Sequence, residues 1–229
     1  MQYTPRTIAF ACELLHLPLA PDPLPLQKVH NRMFESGAPL YRNFAVTGEA
    51  VVLSNPTSQP SAVSSATFQK DRFQFREELT GLTTEEFVRR VLETCALVCQ
   101  ARGVQIFTAQ VVTIRTLVNP RHFKDSREFL KQGVFGFGSE LTDFGREAQL
   151  FGLRLVFPPS SEAPNSFTLR IESFAGDPRS LFLENLANFG PTVVTRGLEP
   201  LGTNIESTYR FLVQRVLAFL AHFDARTEA

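Results

Sequence analysis

The order in which helix and strand patterns follow one another constrains this chain more than any single motif does. Residues 1–118 read as strand, helix, strand, strand, helix, strand, and residues 119–229 read as short helix, strand, strand, helix, long helix. The first order is that of a ferredoxin-like βαββαβ unit. We therefore predict an α+β fold with a mostly antiparallel sheet, whose C-terminal half is a β-hairpin with two helices.

The two halves are expected to form one compact body, because no polar linker separates them. The 119–229 unit, with the order helix, hairpin, helix, helix, is predicted to pack on the 1–118 unit through the fourth strand, Val104 to Val118. Both faces of this strand carry apolar residues, which is typical of a central strand. Its unusual length predicts a bulge or a bend within it.

Capping motifs predict where the main helices begin and end. Thr83 with Glu86 fits a capping box, and Gly103 is expected to end that helix in the left-handed conformation. A second capping box, Thr203 with Glu206, predicts the start of the last helix.

A further helix is predicted between these motifs. Asp177-Pro178 resembles a helix start, because the carboxylate can cap and proline suits the first helical position. This helix is expected to stop at Gly190-Pro191.

Composition narrows the class of protein. Lys and Arg together number 23, as do Asp and Glu, so no net field attracts the chain to nucleic acid or to membrane headgroups. The 22 Phe, against 3 Tyr and no Trp, indicate core filling rather than binding surfaces.

An odd number of cysteines and the lack of a secretory leader predict a cytoplasmic location, and no apolar run is long enough for a membrane span.

The best nucleic-acid motif lies in the third predicted strand, Ala66 to Leu79, where Lys70, Arg72 and Arg76 alternate with Phe73 and Phe75. An RNA-binding βαββαβ module stacks bases on aromatic residues of this strand. Burying the cations would cost more than burying the two rings gains, so the rings are predicted to face the core. Core packing with a solvated basic face is therefore favoured over base stacking.

Cys95 and Cys99 lie one helical turn apart, but none of the four histidines lies at ligand spacing from them. Both fall within the apolar stripe of their helix, so we predict buried thiols. Neither a metal nor a cofactor is predicted.

The only glycine-rich loop contains Gly133, Gly136 and Gly138. A phosphate cradle would need a strand before such a loop and a helix after it, and neither is predicted here. A connecting loop is the favoured interpretation. If the protein has a ligand pocket, this loop and Arg115, a charge in an otherwise apolar strand, are the residues expected to line it.

Taken whole, the chain resembles a sporadically distributed, uncharacterised family of bacterial cytoplasmic proteins. The segments that carry the likeness are Met33-Phe34 to Tyr41-Arg42-Asn43-Phe44, Ile114 to Pro120, and Thr208-Tyr209-Arg210-Phe211. The resemblance implies a bacterial cytoplasmic protein and transfers no activity or site residue. A likeness to tandem ferredoxin-like CRISPR RNA-processing proteins stops at the strand order, because their basic surface and active-site histidine have no counterpart in this sequence.

The leading functional hypothesis is a non-catalytic protein that acts through protein contacts or a small-ligand pocket. The alternative is an RNA- or DNA-binding module that uses the face of Lys70, Arg72 and Arg76, and an enzyme assembled from distant loops is left open. Self-association is predicted as well, because Phe211 and Leu217 lie off the apolar stripe of the last helix. A homodimer through these two residues is expected.

Overall fold

The computed structural model describes residues 3–37 and 39–224. Its ten strands are β1 Arg6–His16, β2 Asn43–Thr47, β3 Ala50–Ser54, β4 Val63–Phe68, β5 Arg72–Glu78, β6 Ile106–Val118, β7 Gly152–Phe157, β8 Ser166–Ser173, β9 Leu181–Phe189 and β10 Thr192–Val193. Its α-helices are α1 Leu24–Glu35, α2 Thr84–Arg102, α3 Ser126–Glu128, α4 Glu199–Arg210 and α5 Leu217–Asp224. No helix in the described ranges is long and apolar enough to cross a membrane.

All ten strands belong to one sheet in the order β2-β3-β4-β5-β1-β6-β9-β8-β7, with β10 paired to β6. Every pairing is antiparallel. The predicted α+β class with a mostly antiparallel sheet is thus confirmed. The strand β6 lies between β1 of the first half and β9 of the second, so a single sheet contains strands from both.

The first half contains six strands rather than the four predicted. The second predicted strand is a hairpin, because Gly48 has φ +60° and turns the chain between β2 and β3. The third predicted strand also folds back, and β4 pairs with β5 across a short turn after Phe68. The rings of Phe68 and Phe73 meet across that turn at 5.0 Å between centroids.

The predicted bulge in the long strand is present. Leu15 pairs with Ala109 and His16 pairs with Phe107, so Thr108 of β6 is the extra residue. A bulge of this kind increases the local twist and lets a long strand follow its neighbours.

The helix predicted between Asp177 and Gly190 is wrong, because this segment forms β9. Asp177 closes a tight turn instead of capping a helix: its carboxylate accepts hydrogen bonds from the Arg179 amide at 3.1 Å and from the Ser180 hydroxyl at 2.6 Å. The strand that follows pairs with β6 on one side and β8 on the other. The predicted C-terminal hairpin is accordingly a three-stranded meander.

The last helix begins at Glu199, one turn before the predicted capping box. Pro200 occupies its first turn, and the Thr203 hydroxyl, which was expected to cap, donates to the Glu199 carbonyl within the helix at 3.2 Å. Helical structure continues from α4 through a π-helical segment, Phe211–Val216, into α5. A π turn adds a residue to the helical repeat and so shifts which side chains face the core.

The two residues of the predicted dimer interface pack within the chain. Leu217 is buried, and the Phe211 ring stacks on Phe167 of β8 at 4.5 Å between centroids and meets Phe157 at 5.5 Å. The chain itself covers the surface that was expected to pair two copies. The element that covers Phe211 is the β7–β8 hairpin.

The core lies between the sheet and the helices. Directly paired residues form buried rows across the strands, such as Leu53, Ala66, Phe75, Cys12 and Val112. The same face contacts the helices, since Phe10 of β1 stacks on Phe87 of α2 at 5.2 Å between centroids. We call the opposite face of the sheet, whose side chains alternate with these rows, the open face.

Candidate functional site

The basic strand face predicted for nucleic-acid binding lies on the open face and is neutralised by carboxylates. Arg72 contacts Glu13 at 2.7 Å and Asp71 at 3.0 Å, and Arg76 contacts Glu78 at 2.7 Å. Lys70 is exposed in the turn before β5 rather than on the strand.

The prediction that the two phenylalanine rings of this strand pack in the core is confirmed. Phe73 and Phe75 are buried on the helix side of the sheet, where bases could not reach them. Cys95 and Cys99 are likewise buried as free thiols in α2, as predicted. Among residues 3–37 and 39–224, no group of three or more His, Cys, Asp or Glu side chains is placed to hold a metal ion.

Arg115 belongs to a row of alternating charges on the open face. It pairs with Glu184 at 2.7 Å, and Glu184 also accepts from Arg170 at 3.0 Å. On the other side Arg115 lies 3.9 Å from Glu78, a contact that crosses the small side chain of Ala9 on β1. The expected acidic partner is present, but the Arg115 side chain is 40% exposed rather than buried.

The contacts of the glycine-rich loop do not involve Arg115. Gly133 packs against the ring of Phe123, which a Cβ atom would meet at 2.9 Å. Gly136 has φ +67°, and the Gly138 amide donates to Glu140 at 2.6 Å. These contacts give each glycine a local role in the loop, and they do not place the loop and Arg115 around one pocket.

A site that the sequence reasoning missed lies at the end of β5, on the helix side of the sheet. Glu77 follows Phe73 and Phe75 in the same strand phase, so its side chain enters the core, where it is 1% exposed. Arg90 of α2 forms an ion pair with the Glu77 carboxylate. The sequence does contain a signal for this pair: Glu77 stands at a position where the strand alternation places apolar, inward-facing side chains. A buried acid at such a position requires a partner.

Three further residues hold this ion pair in place. The Ser64 hydroxyl donates to Glu77 Oε1 at 2.9 Å and accepts from Arg90 Nη1 at 3.0 Å. The Asn55 side-chain amide donates to Ser64 Oγ at 3.1 Å and to the Leu40 carbonyl at 2.9 Å. The Arg90 guanidinium also lies over the buried ring of Tyr41, 5.6 Å from its centroid.

Two polar atoms of the pair lack partners. Glu77 Oε2 and Arg90 Nε are both buried and make no hydrogen bond within the described part of the chain. The Thr80 hydroxyl is close enough to Glu77 to lower the pKa of its carboxyl, but it forms no well-aligned hydrogen bond with Oε2. Burial is the larger effect and raises the pKa of Glu77 above its ordinary value, against the opposing effect of the Arg90 charge.

Glu77 and Arg90 line a cavity of about 520 Å³, together with Asn55, Ser64 and Thr80. Its wall includes Arg42 and the loop Asn55 to Ala62, which connects β3 with β4. Leu79, also on the wall, has φ +54° and is 45% exposed. A left-handed leucine is strained, and strain of this kind is concentrated at functional sites. We call this feature the Glu77 cavity.

Comparisons with known proteins do not assign a family. No family model matches the chain, and no curated protein matches it. Among solved structures, the regulatory subunit of aspartate kinase from Thermus flavus is similar over 91% of this chain and 97% of its own, at 9% identity and a TM-score of 0.23. Neither the fold nor the function of this chain follows from a likeness at that TM-score.

Proposed function

We propose that the protein is a non-catalytic binding protein that holds a small polar ligand in the Glu77 cavity. One observation carries the proposal: Glu77 and Arg90 line the cavity, and within the described residues the buried atoms Glu77 Oε2 and Arg90 Nε have no hydrogen-bond partner. A buried polar atom without a hydrogen bond costs about 1–3 kcal/mol. A ligand that supplies both missing partners recovers that free energy on binding.

The unpaired atoms define the chemistry of the ligand. An ionised carboxylate only accepts hydrogen bonds, so Glu77 Oε2 requires a donor such as an ammonium or hydroxyl group. Arg90 Nε only donates and, with the Arg42 guanidinium on the same wall, favours an anionic acceptor. A small zwitterion of amino-acid size meets both requirements, and the cavity volume is within the range of small-molecule sites.

The anchoring contacts support binding rather than proton transfer. Ser64 and Arg90 hold Glu77 Oε1, so the carboxylate is a fixed acceptor in an ion pair. A general base would instead need to exchange its proton with a reacting group.

We also propose the finer fold assignment and the location that the sequence indicates. In the order β5-β1-β6, the helix α2 connects two strands that flank β1, as in the split βαβ arrangement of ferredoxin-like units. The strands β2 and β3 then form a hairpin inserted between α1 and β4. The resemblance to bacterial cytoplasmic proteins supports a cytosolic role, in which free zwitterionic metabolites are available as ligands.

A thermal-shift screen of amino acids and related zwitterions tests the proposal. The wild type is compared with Arg42→Gln, which removes an exposed cation of the cavity wall, and with Arg76→Gln as the matched control on the open face. We expect a ligand that raises the Tm of the wild type and of Arg76→Gln, with a smaller or absent shift for Arg42→Gln. Lack of a saturable shift for any zwitterion, or equal shifts in all three proteins, contradicts the proposal.

The nucleic-acid alternative has no structural observation in its favour. Arg72 and Arg76 each contact a carboxylate, so their positive charge is compensated where a phosphate would have to bind.

A further inference from the structure

A second cavity, of about 560 Å³, lies at the same end of the sheet as the Glu77 cavity. Of the residues that the structure describes, Arg6, Arg121 and Arg179 line it, and Asp177 is the one acidic residue of its wall. Its formal charge is therefore positive, in a chain whose total charge is zero. We call it the arginine cavity.

The strand pairing explains why three arginines distant in sequence converge. Arg6 begins β1 and pairs with Leu117 near the end of β6. Arg121 follows in the turn after β6, and Arg179 lies in the turn before β9. Because β6 runs antiparallel to both β1 and β9, its last residues lie beside the first residues of both neighbours.

Within the described residues, two of these arginines form no close ion pair, although the charges of both act on the Asp177 carboxylate. In the ranges 3–37 and 39–224, the guanidinium groups of Arg6 and Arg179 make no hydrogen bond and no ion pair within 4.0 Å. The Asp177 carboxylate is held by the Ser180 hydroxyl and the Arg179 amide of its own turn. By contrast, Arg115 and Arg170 on the open face both contact Glu184.

We propose that the arginine cavity binds a small, multiply charged oxyanion of the phosphate-ester or diphosphate class. Guanidinium groups recognise phosphate oxygens with paired, charge-assisted hydrogen bonds, and a cavity wall with several of them favours more than one negative charge. The inference is independent of the zwitterion site, because the two cavities share no charged residue.

Isothermal titration with sodium pyrophosphate at constant ionic strength tests this inference. The variant Arg6→Gln/Arg179→Gln removes the two unpaired charges, and Arg210→Gln/Arg215→Gln removes two exposed charges of the C-terminal helix as the matched control. Both positions in the test variant are exposed, so folding should be retained and is verified by circular dichroism. Citrate tests whether the cavity binds a carboxylate ligand instead, and a single-stranded oligonucleotide tests whether it binds nucleic acid.

We expect saturable binding of pyrophosphate to the wild type and the control. The affinity should fall roughly tenfold or more in Arg6→Gln/Arg179→Gln, because that variant removes charge-assisted hydrogen bonds to the anion. Equal affinity in the test and control variants overturns the inference. The inference is also overturned if citrate binds more tightly than pyrophosphate, if the oligonucleotide binds and the small anions do not, or if none of the three binds.

Discussion

The Arg90 guanidinium of α2 forms an ion pair with the Glu77 carboxylate at the end of β5, on the side of the sheet that faces the helices. This contact joins the longest α-helix to the sheet through two charges rather than through apolar packing. It also leaves one nitrogen and one oxygen of these cavity-lining residues buried without a hydrogen-bond partner among the described residues. Both the stability of this region and its proposed binding function therefore depend on the same pair.

Removing one partner of this pair should destabilise the fold strongly. We expect Arg90→Met to lower the free energy of unfolding by roughly 3–5 kcal/mol, because it leaves the Glu77 charge buried and uncompensated. Urea denaturation followed by circular dichroism measures the change. The matched control is Arg89→Met in the same helix, whose exposed pair with Glu93 at 3.4 Å should contribute less than about 0.5 kcal/mol.

The double variant Glu77→Gln/Arg90→Met shows whether the loss of stability in Arg90→Met comes from the unpaired charge or from lost packing. If the loss in Arg90→Met comes from the orphaned carboxylate, removing the charge of Glu77 as well should restore part of the stability. A double variant as unstable as the sum of the two single variants would indicate independent roles and would contradict the ion-pair account.

Protonation of His16 should lower the free energy of unfolding in mild acid. Burial lowers the pKa of its imidazole below the ordinary value of 6.5, and its ring packs edge-on against Phe73 at 4.8 Å between centroids. The unfolded chain then binds a proton at a higher pH than the folded chain does. The stabilisation is present above the unfolded pKa and is lost as the pH falls through the lowered folded pKa, by at most about 1.4 kcal/mol per pH unit.

Denaturation curves between about pH 7.5 and about pH 5, roughly one unit above and one and a half units below the ordinary histidine pKa, measure this effect. We expect His16→Gln to show a shallower loss of stability with falling pH than the wild type. His222→Gln, at an exposed position of α5, is the control and should follow the wild type. Parallel pH profiles for the wild type and His16→Gln would rule out the proposed titration.

The three cysteines should be inert in the native protein. Burial raises the pKa of Cys12 to about 12 and that of Cys99 to about 12, and it raises the pKa of Cys95 well above its ordinary value. Since the thiolate is the reactive form, Ellman's reagent at pH 8 (about half a unit below the usual thiol pKa) should label no thiol before unfolding. After denaturation all three should react. Rapid labelling of any one of them in the folded protein would show that its surroundings open in solution.

Phe211 should stabilise the single chain rather than a dimer. Truncating a fully buried phenylalanine costs about 3–5 kcal/mol, and because Phe211 is half-buried we expect Phe211→Ala to cost about 2 kcal/mol in urea denaturation. Phe219→Ala, at a more exposed ring, should cost less. Light scattering should show the same mass for the wild type and Phe211→Glu wherever the latter is folded. A dimeric wild type that becomes a folded monomer on Phe211→Glu would restore the interface predicted from sequence.

Local signals in the sequence were sufficient where neighbouring residues alone decide the structure. The Thr83–Glu86 capping box forms as predicted, with hydrogen bonds of 2.9 Å and 3.2 Å, and Gly103 ends α2 at φ +69°. The inward direction of Phe73 and Phe75 also followed from the alternation of apolar and charged residues. Each of these features depends on contacts within a few positions of the chain.

Predictions failed where distant partners override local preference. The β9 segment has residues that favour helices, but pairing with β6 and β8 makes it a strand, and its buried Asn185 donates to the Thr208 carbonyl of α4 at 3.0 Å. The Glu77–Arg90 pair was missed for the same reason, since the partner of a buried carboxylate lies on another element. The hairpin turn after Phe68 escaped detection because it contains no glycine or proline.

Mapping of backbone amide chemical shifts with a zwitterion identified by thermal shift is the most direct test of the Glu77 cavity as a binding site. The account predicts that saturating ligand perturbs amides around Arg42, in the Asn55 to Ala62 loop and near Leu79, with little change in the β7–β8 hairpin. The perturbations should decrease in Arg42→Gln and persist in Arg76→Gln. Perturbations confined to the open face, or a spectrum unchanged at saturating ligand, would contradict the central claim.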